Sequence, residues 1–133
     1  MPEGRLNRVT YSYQGMMMEP FSDFDLRRKT DGIGGTLSFR TRGGEVSYEV
    51  SDTLLDAARR IIEEERMYEY ASFYSFKSDA RVLDGYRWDF DAYFEGGEKI
   101  LSGGRHVDPE GNGLNRIRKL LYDTAEALTG NRE

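Results

Sequence analysis

Strict alternation of apolar and polar residues opens the chain. Val9, Tyr11 and Tyr13 alternate with Thr10 and Ser12, Phe24 and Leu26 with Asp23 and Asp25, Leu37 and Phe39 with Ser38 and Arg40, and Val46, Tyr48 and Val50 with Glu45, Ser47 and Glu49. A period of two sends one class of side chain to each face, so four strands with one apolar face each are predicted. Asp31-Gly32 with Gly34-Gly35, and then Gly43-Gly44, place residues that tolerate positive φ between the second, third and fourth strands. Short links of that kind make an antiparallel meander.

After Ser51 the period lengthens. Leu54, Leu55, Ala58, Ile61 and Ile62 share one side of a 3.6-residue helix, while Arg59, Arg60, Glu63 and Glu64 face away. Ser51 or Asp52 can cap this helix, and Asp56 sits near its positive end. We expect it to run to about Tyr68 and to give way to an irregular or extended segment through Phe76, where the aromatics suit neither period. Alternation returns with Tyr86, Trp88, Phe90, Ala92 and Phe94; Gly96-Gly97 then turns the chain into Lys99 to Ser102. Leu114, Ile117, Leu121, Ala125 and Leu128 recur at helical steps, with Asn112 as the cap and Gly130 as the stop. This order predicts a single α+β domain, a mostly antiparallel sheet of about six strands with two helices packed on one face.

The run Asp84-Gly85-Tyr86-Arg87-Trp88, the Gly96-Gly97 turn, and Ser102-Gly103-Gly104 followed by Pro109 ahead of the last helix resemble small bacterial domains of unknown function. Those domains carry an Asp-Gly-x-x-Trp strand, a Gly turn and a Ser-Gly loop before a proline. The resemblance runs from about Leu83 to Leu121. Their loop usually reads Ser-Gly-x-Asn-x-x-Pro, where this chain has Ser-Gly-Gly-Arg-His-Val-Asp-Pro. The resemblance implies a fold and no activity.

Composition narrows the function classes. A chain of 133 residues can bury a core of its own. Its net charge of -5, from 19 basic and 24 acidic residues spread over both halves, gives nucleic acid or a membrane surface nothing to grip. No apolar stretch approaches a membrane span, and with Met1 as the start and no apolar leader a cytoplasmic location is expected. The absence of cysteine excludes a disulfide frame, a thiolate metal site and a cysteine nucleophile.

Candidate chemistry centres on one loop. His106, the lone histidine, lies there with Asp108 and Glu110, and Arg87 on the preceding strand is a further candidate ligand-binding residue. Asp108, Glu110 and Asn112 match the start of a calcium loop, but its twelfth position is Lys119, where a bidentate carboxylate is required. The pairs Asp23/Asp25 and Asp89/Asp91 have the two-residue spacing that any polar strand face produces. Arg27, Arg28 and Lys29 with Arg40 and Arg42 could form a cationic stripe, for which Asp25, Glu45 and Glu49 are available as neutralising partners. Met16, Met17 and Met18 cannot all point into a core from one strand, so with Phe21 they form a candidate contact surface. On these grounds the expected function is a non-catalytic protein-interaction or scaffold module, a homodimer or the receiver of a protein partner, with no cofactor, metal, nucleic acid or membrane. The alternative is a small enzyme or ligand-binding protein that uses the loop around His106. The notable side chains are expected to fill the interior and trim the bends, without assembling a reactive cluster.

Overall fold

The computed structural model describes residues 1–15, 19–75 and 86–130. The chain forms β1 (Leu6–Gln14), β2 (Ser22–Arg28), β3 (Gly35–Thr41), β4 (Gly44–Val50), α1 (Asp52–Glu64), a 3-10 turn (Met67–Glu69), β5 (Phe73–Ser75), β6 (Arg87–Phe94), β7 (Lys99–Arg105) and α2 (Gly113–Thr129). The strands make one sheet in the order β4-β3-β2-β1-β6-β7-β5. Five of its pairings are antiparallel, and the sixth sets β5 parallel to β7 with Phe73 beside Gly103. The expected α+β architecture is present, with seven strands in place of about six. The addition is β5, a three-residue strand too short to show a period.

One face of the sheet carries the core. Val9, Leu26, Leu37, Phe39 and Phe90 from the strands and Leu55, Ile62 and Ile117 from the helices are fully buried, in one continuous cluster. Burying each such side chain stabilises the fold by roughly 1.5–3 kcal/mol, and this term holds both helices against the sheet. Ser51 caps α1, its hydroxyl accepting from the Thr53 backbone N–H at 3.2 Å. The helix stops at Glu64, short of Tyr68, because Arg66 takes the left-handed conformation (φ 53°) and turns buried Met67 into the core. Asn112 stands at the start of α2 without a side-chain cap bond; its Oδ1 accepts from Asn115 Nδ2 at 3.2 Å instead.

The opposite face is polar and laced with ion pairs. Asp25 accepts from Arg8 at 3.1 Å and Arg27 at 3.0 Å, Arg40 reaches Asp23 at 3.1 Å, and Lys29 reaches Glu49 at 2.6 Å. Asp23 can make its contact because it takes a positive φ of 56° at the break in register between β2 and β3. Arg27, Lys29 and Arg40 of the expected cationic stripe are therefore neutralised locally, Arg28 leaves it by turning to the inner side, and Arg42 makes no ion pair among the described residues. Phe21, expected on a contact surface with the methionines, is instead 3% exposed, edge-on to Phe39 and Tyr122. An aromatic ring that closes the core cannot also serve as an exposed contact. Met16, Met17 and Met18 lie outside the described residues. Among the described residues no helix is long and apolar enough to cross a membrane.

Candidate functional site

The closing strands and α2 build a small hollow at one end of the helix-covered face. Tyr11 and Tyr13 enter it from β1, since the odd positions from Val9 onward, past the register shift after Leu6, face inward. Tyr86 and Trp88 enter from β6 and the residue before it, Asp108 from the loop after β7, and Asn115 and Arg118 from the first turns of α2. Its volume is about 170 Å³. Four separated segments thus bring three phenols, a carboxylate, an amide and a guanidinium to one partly enclosed space, a convergence that the expectation of no assembled reactive cluster did not foresee.

A glycine sets the rear wall. Trp88 is 1% exposed, and its indole Nε1–H donates to the Val107 carbonyl at 2.8 Å. The ring lies across Gly104 of β7, where an added Cβ would run into the indole nitrogen and come within 2.8 Å of that same carbonyl. Ser102, two residues earlier, donates its hydroxyl to the Ala71 carbonyl at 2.6 Å and ties down the approach to β5. The Ser-Gly-Gly segment is accordingly a packing device that fixes Trp88 and, through it, the hollow.

Rings and charges stack in sequence along one side. His106 meets Tyr86 edge-on with centroids 6.4 Å apart, Tyr86 stacks on Tyr13 at 5.5 Å, and the Arg118 guanidinium lies over Tyr13 at 5.4 Å and over Tyr122 at 5.3 Å. Arg118 Nη2 donates to Glu19 Oε1 at 3.2 Å, and the Tyr122 hydroxyl lies 2.6 Å from the same oxygen. Burial opposes the Arg118 charge, but Tyr11, Glu19 and Tyr122 outweigh it and hold its pKa above the ordinary arginine value. Burial pushes the Tyr11 hydroxyl well above the usual phenol range, against the pull of Arg118. Burial, with the Asp108 carboxylate beside it, pushes Tyr86 up to about 12. At neutral pH both phenols are therefore neutral O–H groups that can donate and accept, and they are poor general bases.

The four loop and strand candidates separate. Asp108 lines the hollow. His106 stands behind Tyr86; its backbone takes a positive φ of 64°, its N–H donates to the Tyr86 carbonyl at 2.9 Å, and its Nδ1 is buried without a hydrogen-bond partner among the described residues. Arg87 is exposed on the far face, 3.5 Å from Asp89, because its neighbour Trp88 takes the inward position. Glu110 is exposed and does not line the hollow. The pairs Asp23/Asp25 and Asp89/Asp91 also belong to the far face, where burial and then Asp89 raise the Asp91 pKa. Among the described residues no group of three His, Cys, Asp or Glu side chains could hold a metal ion.

Tyr11 and Tyr13, which alternation assigned to an apolar strand face, and Asn115 and Arg118, which the sequence reading did not single out, also line the hollow. One signal was available: Arg118 falls four residues after Leu114 and four before Tyr122, inside the apolar stripe of α2. A charged residue in that stripe needs a partner or a purpose. A second and larger groove of about 520 Å³ runs between the end of β4 and the helices, but Val50, Leu54, Ala57, Leu120 and Leu128 make it apolar and open, with Glu49 at its rim. Comparison of the chain with protein-family models, curated proteins and solved structures finds no match.

Proposed function

We propose that the protein is a non-catalytic binding module that holds a small polar molecule in the hollow between β1, β6 and α2. The observation that carries this reading is the convergence of Tyr11, Tyr86, Asp108 and Arg118 from four segments on one space. A convergence of polar groups costs desolvation that an all-apolar wall would avoid, so its retention favours a use. Holding is favoured over turnover because the phenols are neutral at physiological pH and His106 is set back behind Tyr86. The volume sets the size: a cavity of about 150 Å³ accommodates a benzene-sized guest, so the ligand has roughly six to eight non-hydrogen atoms. An affinity between roughly 10 μM and 1 mM is expected for so few atoms.

Trp88 is the chain's single tryptophan and lines the site, which makes its indole N–H resonance and its fluorescence local reporters. Titration with small organic acids, amines, amino acids and polyols should give a saturable change at Trp88 and at the Asn115 side-chain amide with at least one class. No saturable change from any class up to about 20 mM would overturn the proposal.

A further inference from the structure

The chemical class of the ligand follows from the charges that line the hollow, and the inference rests on the hollow being a ligand site. Asp108 and Arg118 both face this space, and among the described residues they do not pair with each other: the Arg118 ion pair is with Glu19. Opposite charges that border one small space gain Coulomb energy by closing on one another, more so away from bulk water, and Asp108 instead stays exposed at the edge of the hollow. Here they are held apart. Arg118 is fixed by the rings of Tyr13 and Tyr122 and by Glu19, all on β1, α2 or the β1–β2 connection, while Asp108 sits on the loop beside Tyr86. Tyr11 lines the same space, and its hydroxyl feels both charges, Arg118 pulling its proton off and Asp108 holding it on.

We infer that the ligand is a small zwitterion, its carboxylate received by Arg118 and its ammonium group by Asp108. The guanidinium lies over two aromatic rings, so the donors left to it radiate from its edge, and only Nη2 is used by Glu19 among the described residues. An edge of free N–H groups is the geometry that grips a carboxylate. A plain anion would bring a third negative charge beside Glu19 and Asp108 with one cation to answer all three. A plain cation would meet Arg118. A molecule carrying both charges adds no net charge, answers each partner, and leaves Tyr11 free to donate to its carboxylate. The volume of about 170 Å³ limits it to the size of a small amino acid.

Probes of matched size test this: L-alanine, β-alanine and 4-aminobutyrate as zwitterions, propionate and butyrate as anions, propylamine as a cation and butanediol as a neutral molecule, each titrated against the full chain by the Trp88 indole resonance. At least one zwitterion should bind about tenfold or more tighter than the acid and amine of similar length, the factor expected of one added charge-assisted contact. Asp108→Asn should weaken that zwitterion about tenfold and leave propionate no weaker. Arg118→Gln should weaken the zwitterion and leave propylamine no weaker. Lys119→Gln, on the exposed side of α2, should change nothing. If propionate, propylamine or butanediol saturates the site as tightly as any zwitterion, or if Asp108→Asn is without effect on it, the zwitterion inference falls while the hollow stands as a ligand site. If no probe of any class binds, the site itself falls. Thermal unfolding of each variant separates lost binding from lost folding.

Discussion

Two arginines at helix–sheet seams behave in opposite ways. Arg28 leaves β2 on the inner side with 4% of its side chain exposed; it donates to the Leu6 carbonyl at 2.9 and 3.1 Å and to Asp52 at 3.1 Å, with Asp56 at 3.8 Å. Asp52 in turn accepts from the Gly34 N–H at 2.6 Å and lies in the first turn of α1, where a carboxylate meets the positive end of the helix. Every contact of this clamp is internal, and it joins two strands, a hairpin turn and a helix start. Arg118 is 39% exposed, has one hydrogen bond among the described residues, and borders a space. A guanidinium whose three nitrogens are each engaged from within is part of the framework. One whose donors are only partly answered, beside a cavity, has capacity left for something else.

Stability separates the two most sharply. Arg28→Met keeps most of the volume and removes the charge, leaving the Leu6 carbonyl and Asp52 short of donors. It should lower the unfolding free energy in urea by about 2–4 kcal/mol, the range for breaking a buried charged hydrogen-bond set. Arg118→Gln should cost about 1 kcal/mol or less, as a partly exposed pair does. Equal losses would erase the distinction between framework and site.

The next effect in size comes from the rear wall of the hollow. Gly104→Ala would drive a methyl group into the Trp88 indole and the Val107 carbonyl. Overpacking against ring and backbone should cost about 1–3 kcal/mol and break the Trp88 Nε1 to Val107 bond, visible as a shift of the indole resonance. The same substitution at Gly96, where an added Cβ meets nothing within 4 Å, should leave that resonance in place.

What the sequence carried of this arrangement depended on period. The four opening strands, both helices and the β6–β7 hairpin announce themselves through runs of alternating or helical positions bounded by glycine. β5 has three residues and takes its place only because β7 offers it a parallel edge, so no local signal marks it. The end of α1 was hidden because Arg66, Met67 and Tyr68 continue a helical composition, and only the left-handed backbone at Arg66 stops it. The site was legible in its loop and not in its walls. Asp108 stood out as a polar residue in a glycine-flanked loop. Tyr11 and Tyr13 wore the same alternation as the core residues beside them, and no pattern distinguishes a tyrosine that fills an interior from one that borders a hollow. Arg87 lies away from the hollow for a simpler reason: it alternates with Trp88, so whichever face holds the ring denies it to the arginine.

The smallest effect expected lies at alkaline pH and isolates the hollow from the ion-paired face. Burial raises Tyr86 to about 12, with Asp108 adding to the shift, and raises Tyr70 to about 12, with Tyr74 adding to it, from an ordinary value of 10.0. A phenol whose folded pKa lies above its unfolded value binds its proton more tightly in the native state. Its contribution to stability is therefore complete below pH 10 and is lost as the pH rises toward 12. The urea midpoint should fall over that window, and Tyr86→Phe, which has no proton to lose, should make the fall shallower while leaving the midpoint near neutrality little changed. Tyr86 borders the hollow and is only half-buried, so the change is modest, and Tyr70, Tyr11 and Tyr122, which burial also raises, account for shares that the substitution leaves in place. A midpoint that falls equally steeply in wild type and Tyr86→Phe would mean that Tyr86 ionises as it does in water, and that the wall of the hollow next to Asp108 is open to solvent.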